Sequence, residues 1–316
     1  MVEKNTMGTS FKIGTRHSPL AMKQAHMLAD ALQAAHPQKV FEIVPIKSNA
    51  DWKKGEGEKP LSEENGGKGL FAKEIEQEII AGTVDCGVHS LKDMASFLPQ
   101  GLVINHFMPR ANALDALICQ NHKSLSDLPK EAVLGTCSAR RKAIALSLRP
   151  DLKVVPFRGN VQTRLDKVKA GQVDATFLAM AGLERLEISD DTIHPMPDSQ
   201  MLPACGQGII CMETREDDGQ AWAILEAVTC PKTRLCALAE REVLRALDGS
   251  CHTPISAYAE IIGDRLHLRA EVYALDGAQV YRESCTQDCK TTQQAIMIGQ
   301  SIGQTLKAVL PEGFLS

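Results

Sequence analysis

The run Ala132-Val-Leu-Gly-Thr-Cys-Ser-Ala-Arg-Arg-Lys-Ala-Ile-Ala-Leu-Ser-Leu148 decides the fold. Ala132 to Leu134 reads as a buried strand. After the break at Gly135, Ser138 to Leu148 reads as a helix. Leu152 to Phe157 follows as a strand, Val161, Leu165 and Val168 mark a second helix, and Ala175 to Ala179 a third strand. Strands alternating with helices imply βαβ units and a mostly parallel sheet. The same alternation stands upstream. Phe11 to Gly14 is a strand, and Ser18-Pro19 opens a helix carried by Ala21, Ala25, Leu28, Leu32 and Ala35. Val40 to Ile46, a helix marked by Phe71, Ile75 and Ile79, and Val84 to Val88 continue it, and Leu102 to Phe107 and Ala116 to Cys119 complete the set. Lys47 to Lys68 has no apolar period and reads as a mobile surface loop.

The expected fold class is therefore α/β: two α/β domains in succession, then a small C-terminal α+β domain with an antiparallel sheet. Asp190 to Pro203, rich in Pro and Asp, reads as a connection between the first two, and Ile209 to Glu213 as the chain's return to the first sheet. After Lys232 come one helix, three β-like runs with a hairpin signal at Asp276-Gly277, and a last helix from Thr291 to Val309. The expected boundaries are 6–110 with 208–228, 111–203 and 231–316.

The 316 residues are 44% hydrophobic and 23% charged with net charge −4, an ordinary globular balance. Slight acidity argues against bulk nucleic-acid binding. No run approaches the roughly 18 apolar residues of a membrane span. The polar start Met1 to Ser10 lacks an apolar signal segment, so the expected compartment is cytoplasmic, and the composition suits a monomer. The ten cysteines are scattered, which excludes a disulfide framework. The closest pair, Cys285 and Cys289, lacks the histidines of a zinc finger, so no metal is expected.

Arginine placement is the strongest chemical signal. Arg16, Arg140, Arg141, Arg158, Arg164 and Arg185 fall just after predicted strands or in the first turns of helices. Ligands of open α/β sheets bind at the carboxyl ends of strands, where helix N-termini favour anions. Guanidinium forks match carboxylates two bonds at a time. The pattern points to a small polyanionic ligand. Lys92-Asp93 follows the strand Val84 to Val88 and offers a carboxylate that can orient an N–H group or stabilise a developing cation. Cys251, on the turn Leu247-Asp-Gly-Ser-Cys-His-Thr-Pro-Ile255, is presented between a helix and a strand and is read as carrying a covalent group. His89 and His252 stand beside these sites as structural hydrogen-bonders.

Several motifs together resemble the porphobilinogen deaminase (hydroxymethylbilane synthase) family. They are Ile13-Gly-Thr-Arg-His-Ser-Pro-Leu-Ala21, Gly66-Gly-Lys-Gly-Leu-Phe71, Val88-His-Ser-Leu-Lys-Asp93 and Gly135-Thr-Cys-Ser-Ala-Arg-Arg141. Arg158-Gly-Asn-Val161 with Arg164, Leu178-Ala-Met-Ala-Gly-Leu183 with Arg185, Leu202-Pro-Ala-Cys-Gly-Gln-Gly208 and Gly249-Ser-Cys-His-Thr-Pro254 complete the series. The resemblance implies two domains like periplasmic binding proteins and a third bearing Cys251. It implies a dipyrromethane cofactor joined to Cys251 by a thioether, to which four porphobilinogen molecules add head to tail with loss of ammonia. Hydrolysis then releases the product, with hand-over to uroporphyrinogen III synthase. By the resemblance, Arg16, Ser18, Lys92, Asp93, Ser138, Arg140, Arg141 and Arg164 hold the cofactor. Arg158, Arg185, Lys68, Phe71 and Gln207 address the substrate, and Asp93 is catalytic. Cys137, Glu64, Leu114 and Lys23 depart from the family pattern. The alternatives are a divergent paralogue or a two-lobed anion-binding protein without full activity, and a thiol hydrolase pairing Cys251 with His252.

Overall fold

The computed structural model describes residues 10–47, 72–249 and 253–314. The first sheet holds β1 (Phe11–Arg16), β2 (Phe41–Ile46), β3 (Cys86–Ser90), β4 (Leu102–Phe107) and β10 (Ile210–Arg215), in the order β2-β1-β3-β10-β4. The second holds β5 (Asp115–Cys119), β6 (Val133–Gly135), β7 (Lys153–Val155), β8 (Ala175–Ala179) and β9 (Ile193–Pro195), in the order β7-β6-β8-β5-β9. The two sheets share one plan. Three strands are parallel, joined through α1 (Pro19–Ala35) and α2 (Lys73–Ile80) in the first sheet, and through α3 (Ala139–Leu148) and α4 (Val161–Lys169) in the second.

The sheets are mostly parallel in strand direction, as expected, four of the five strands in each running one way, but each also holds one reversed strand. β10 runs antiparallel to both β3 and β4, and β5 antiparallel to both β8 and β9. The reason is the crossing between domains. β4 leaves the first sheet at the edge where its parallel strands end, so β5 enters the second sheet from the corresponding edge and must run backwards. β9 leaves in the same way, and β10 returns backwards. The stretch Asp190 to Pro203 is thus more than a connection, since it contains the edge strand β9. Two short helices, α5 (Met180–Arg185) and α6 (Gly219–Glu226), also escaped the sequence reading because each is too brief to show a period.

Local chemistry explains the helix starts that matter later. Ser18 caps α1, accepting from the Ala21 amide at 3.4 Å, with Pro19 in the first turn. Ser138 caps α3, accepting from the Arg141 amide at 3.3 Å, and Asn160 caps α4 at 2.8 Å. Core residues such as Ile13, Ala25, Leu28 and Leu32 seal the first domain under α1, and Leu117, Leu134, Ile144 and Phe177 the second.

The third domain is an antiparallel sheet, β11 (Ile255–Ile262), β12 (Arg265–Tyr273) and β13 (Val280–Asp288), covered by α7 (Pro231–Ala246) and α8 (Thr292–Val309). The β12–β13 turn has Gly277 at φ 75°, and its tip abuts α3: a Cβ there would sit 2.5 Å from the Ala143 carbonyl oxygen. The third domain therefore braces the helix that carries Arg140 and Arg141. Among the described residues, no helix is long and apolar enough to cross a membrane.

α7 and α8 approach closely because Gly299 and Gly303 face α7; a Cβ on Gly299 would lie 2.2 Å from the Ala239 carbonyl oxygen. In an exposed helix Gly→Ala stabilises by about 1 kcal/mol. Here Gly299→Ala is expected to destabilise by roughly 2 kcal/mol through overpacking. The urea midpoint checks this, with exposed Ser301→Ala as the neutral control.

Candidate active-site cleft

The proposed ligand groups converge on the edge where the parallel strands end. Arg16 ends β1 and Ser18 begins α1. With Asp93, Gln24, Ser90 and Met94 they line a cavity of about 70 Å³. Gln24 is buried and donates to Ser90 Oγ at 2.8 Å, which locks α1 against β3. Leu91–Asp93 form one 3-10 turn after β3, whose first amide donates to the Ile209 carbonyl at 3.0 Å. The turn is supported from below by Gly206, at φ 72°. A Cβ there would lie 2.7 Å from the Leu91 side chain, so only glycine suits this left-handed, crowded position. Asp93 itself is exposed to the cleft. His89 points its ring to the opposite side, with Nε2 3.1 Å from buried Glu213.

Lys92 faces the second domain. Its Nζ donates to Gln207 Oε1 at 3.2 Å, and Gln207 Nε2 donates to the Ala113 carbonyl at 2.7 Å. Gln207, expected to touch substrate, is fully buried, so the structure assigns it to holding Lys92 against the crossing segment. Burial pushes the Lys92 ammonium down to about 8. Arg141 adds to that, while Asp93 and Asp115 oppose it.

Arg140 and Arg141 differ most from expectation. Both are buried and turned inward onto Asp115, which is itself completely buried. Arg140 Nη2 reaches Asp115 Oδ2 at 2.7 Å, and Arg141 Nε and Nη2 reach Oδ1 at 2.9 and 2.6 Å. Their remaining contacts are the carbonyls of Leu202 and Phe177, at 2.8 and 2.9 Å. In this structure the pair forms the floor of the cleft rather than open forks for a ligand. Burial works against the Asp115 charge, but the two guanidinium groups outweigh it and hold the carboxyl well below the usual range. The sequence reading missed Asp115 as a site residue. The signal was there: a charge opening the otherwise apolar strand Asp115-Ala-Leu-Ile-Cys119 must be paired if buried.

Arg164, in the first turn of α4, completes the cluster. Burial and the nearby Arg141 push it down to about 10, while Cys137 and Asp93 act in the opposite sense. Arg158 lies buried between β7 and α4, its carbonyl receiving Lys167 Nζ at 3.1 Å. Arg185 is buried at the end of α5, donating Nη2 to the Gly208 carbonyl at 2.7 Å, and burial pushes it to about 10. The Nε groups of Arg164 and Arg185 are buried with no hydrogen-bond partner among the described residues. Cys251, Lys68, Phe71 and Glu64 lie outside the described residues. The stem of the Cys251 loop, Asp248 and Gly249, lies within them.

Five cations, Arg16, Lys92, Arg140, Arg141 and Arg164, are thus gathered with two carboxylates, Asp93 and Asp115. Depressed cation pKa values and buried donors without acceptors describe a site built for negative charge from outside the protein. A ligand carrying several carboxylates fits it.

Residues 11–223 match the family model "Porphobilinogen deaminase, dipyromethane cofactor binding domain", and residues 234–308 match "Porphobilinogen deaminase, C-terminal domain". The chain belongs to the porphobilinogen deaminase family. Relatives in that family include the porphobilinogen deaminase of Nitrobacter winogradskyi, 45% identical over 269 residues, covering 85% of this chain and 84% of that protein. That of Paracoccus denitrificans is 46% identical over 271 residues, covering 85% of each. The chloroplastic enzyme of Oryza sativa subsp. japonica is 42% identical over 308 residues, covering 96% of this chain and 85% of that protein. Among solved structures, the methionine-binding protein MetQ is similar at 13% identity and TM-score 0.43, covering 69% of this chain and 89% of that one.

Two outcomes follow from the charges. Removing one guanidinium leaves Asp115 half-compensated in the interior. Arg141→Leu is therefore expected to cost roughly 3 kcal/mol or more of stability besides any activity, checked by chemical denaturation. Lys92 is less basic when folded than when unfolded, so its charge opposes folding fully below about pH 8 and not at all above its ordinary 10.5. Lys92→Met should raise the melting temperature below pH 8, and the gain should shrink between pH 8 and 10.5.

Proposed function

We propose that this chain condenses four porphobilinogen molecules head to tail, each losing ammonia, and releases hydroxymethylbilane by hydrolysis. The carrying observation is the cluster of cations around Asp93, in a chain whose first 223 residues match the family's cofactor-binding domain from residue 11 onward. The cofactor in this reading is a dipyrromethane on a thioether from Cys251. It supplies a nucleophilic terminal pyrrole to which substrate is added.

The chain's own residues then have distinct work. Arg16, Ser18, Lys92 and Arg164 bind acetate and propionate groups, with the α1 N-terminus assisting at Ser18. Ser138 stands at the N-cap of α3, over the floor made by Asp115, Arg140 and Arg141. Arg158 and Arg185 take the carboxylates of incoming substrate. Asp93, exposed to the cleft between these cations, accepts hydrogen bonds from pyrrole N–H groups. Its charge stabilises the cation that forms on the substrate as ammonia leaves, and the same carboxylate can take up the proton lost at the pyrrole α-carbon. The enzyme works as a cytoplasmic monomer and passes its linear product to uroporphyrinogen III synthase.

Intact-protein mass tests the covalent part. Protein from cells that make porphobilinogen should exceed its sequence mass by two linked pyrrole units, and Cys251→Ser should remove the excess. An unmodified wild-type mass would end that part of the reading. Asp93→Asn should lower turnover by about a hundredfold or more while preserving the adduct. Turnover within a few-fold of wild type would assign the charge stabilisation elsewhere.

A further inference from the structure

The segment that follows Asp93 is fastened to the stem of the Cys251 loop. Ser96 is 6% exposed and donates its hydroxyl to the Gly249 carbonyl at 2.5 Å. The backbone bearing that hydroxyl is itself held by α7. Arg241 Nη2 donates to the carbonyls of Ala95 and Ser96 at 2.9 and 3.3 Å, and Arg245 Nε to that of Ser96 at 2.9 Å. Arg245 is oriented by Glu242, which also accepts from Gln300 of α8 at 3.0 Å. The stem is shaped to meet this support. Asp248 takes φ 52°, the Gly249 amide returns to the Leu244 carbonyl at 2.8 Å, and a Cβ on Gly249 would lie 2.6 Å from Ile255 Cδ1. Between Asp93 and Ser96 stand only Met94, buried and hydrogen-bonded to Leu91, and Ala95.

We propose that Ser96 is a positioning residue for the reaction, its hydroxyl on Gly249 setting where the Cys251 loop departs relative to Asp93. The inference rests on the function proposed above. One neutral hydrogen bond contributes little net stability. A displacement of about 1 Å between reacting groups, however, can cost up to a hundredfold in rate. The clasp is therefore expected to show in turnover far more than in folding.

The test uses full-length, adduct-bearing protein with Ser96→Ala, Ser96→Thr and Arg245→Met. Ser96→Ala should keep the two-pyrrole mass increment and melt within a few degrees of wild type. Its kcat for porphobilinogen should fall roughly tenfold or more with KM unchanged. Ser96→Thr, which retains a hydroxyl, should recover most of the loss. Arg245→Met, at a partly exposed position, should show a smaller fall of the same kind and serves as the test should Ser96→Ala not fold. The clasp is overturned if the variant that folds keeps kcat within about twofold of wild type, or if Ser96→Thr is as impaired as Ser96→Ala. It is also overturned if Ser96→Ala loses the adduct, since the hydroxyl would then serve loading rather than placement. Wild-type protein lacking the adduct or not consuming porphobilinogen would instead refute the underlying function.

Discussion

Glu240 carries a charge at a point with no solvent exposure, and three parts of the chain meet to satisfy it. Arg110, on the segment leaving the first sheet, forms an ion pair with it at 2.5 Å. The Gly206 amide, on the segment returning, donates at 2.7 Å, and the Ala259 amide of β11 donates at 2.7 Å. A buried carboxylate is tolerated only when paired and hydrogen-bonded. Those requirements force the two crossing segments and the third domain into one fixed junction. Gly208 adds to it, because a Cβ there would lie 2.6 Å from the Ala111 carbonyl oxygen, so the crossings run in contact. The turn under Leu91–Asp93 and the stem of the Cys251 loop both grow from this junction. Residues far apart in sequence are thereby held at one cleft edge.

The same rule, applied with the opposite sign, accounts for the ligand. Asp115 is over-compensated by two guanidinium groups, while Lys92 and Arg164 stand nearby with their charged forms disfavoured by burial. A protein interior does not hold such an excess of cation cheaply unless function needs it. In the function proposed above, carboxylates in the cleft offset the repulsion among Lys92, Arg141 and Arg164 and offer the buried Arg164 Nε an acceptor.

Much of this was legible in the chain, and the losses have physical causes. The helix starts at Ser18-Pro19 and Ser138 could be read because capping is local chemistry. The sequence reads Ile209 to Glu213 as a return to the first sheet, and β10 lies there. Its direction was not legible, since an apolar strand looks the same read parallel or antiparallel; only the crossing geometry fixes it. β9, Ile193-His-Pro195, holds one apolar residue followed by a histidine and a proline, too little pattern to announce itself. For the site, Arg16 ends β1 and Arg140, Arg141 and Arg164 stand in the first turns of α3 and α4 as read, whereas Arg185 closes α5; the sequence could not tell which would turn inward. Arg140 and Arg141 look alike on paper with Arg164. What separates them is Asp115, which lies on a different strand.

Consecutive residues on a helix point about a quarter-turn or more apart, so Arg140 and Arg141 should diverge. They converge because Asp115 begins β5 beneath the α3 N-terminus and presents one oxygen to each. The arrangement fixes the rotation of α3 about its own axis. The Ser138 cap then has a defined direction, and the tip of the β12–β13 hairpin holds the helix from the other side. A floor so determined cannot drift when the charge above it changes. In the proposed function the arginines paired with Asp115 supply rigidity and background potential, and Lys92 and Arg164, which do not engage Asp115 directly, meet the ligand. That separation of tasks between paired and unpaired cations is what a site needs if it must hold a succession of similar acidic groups without rebuilding itself for each.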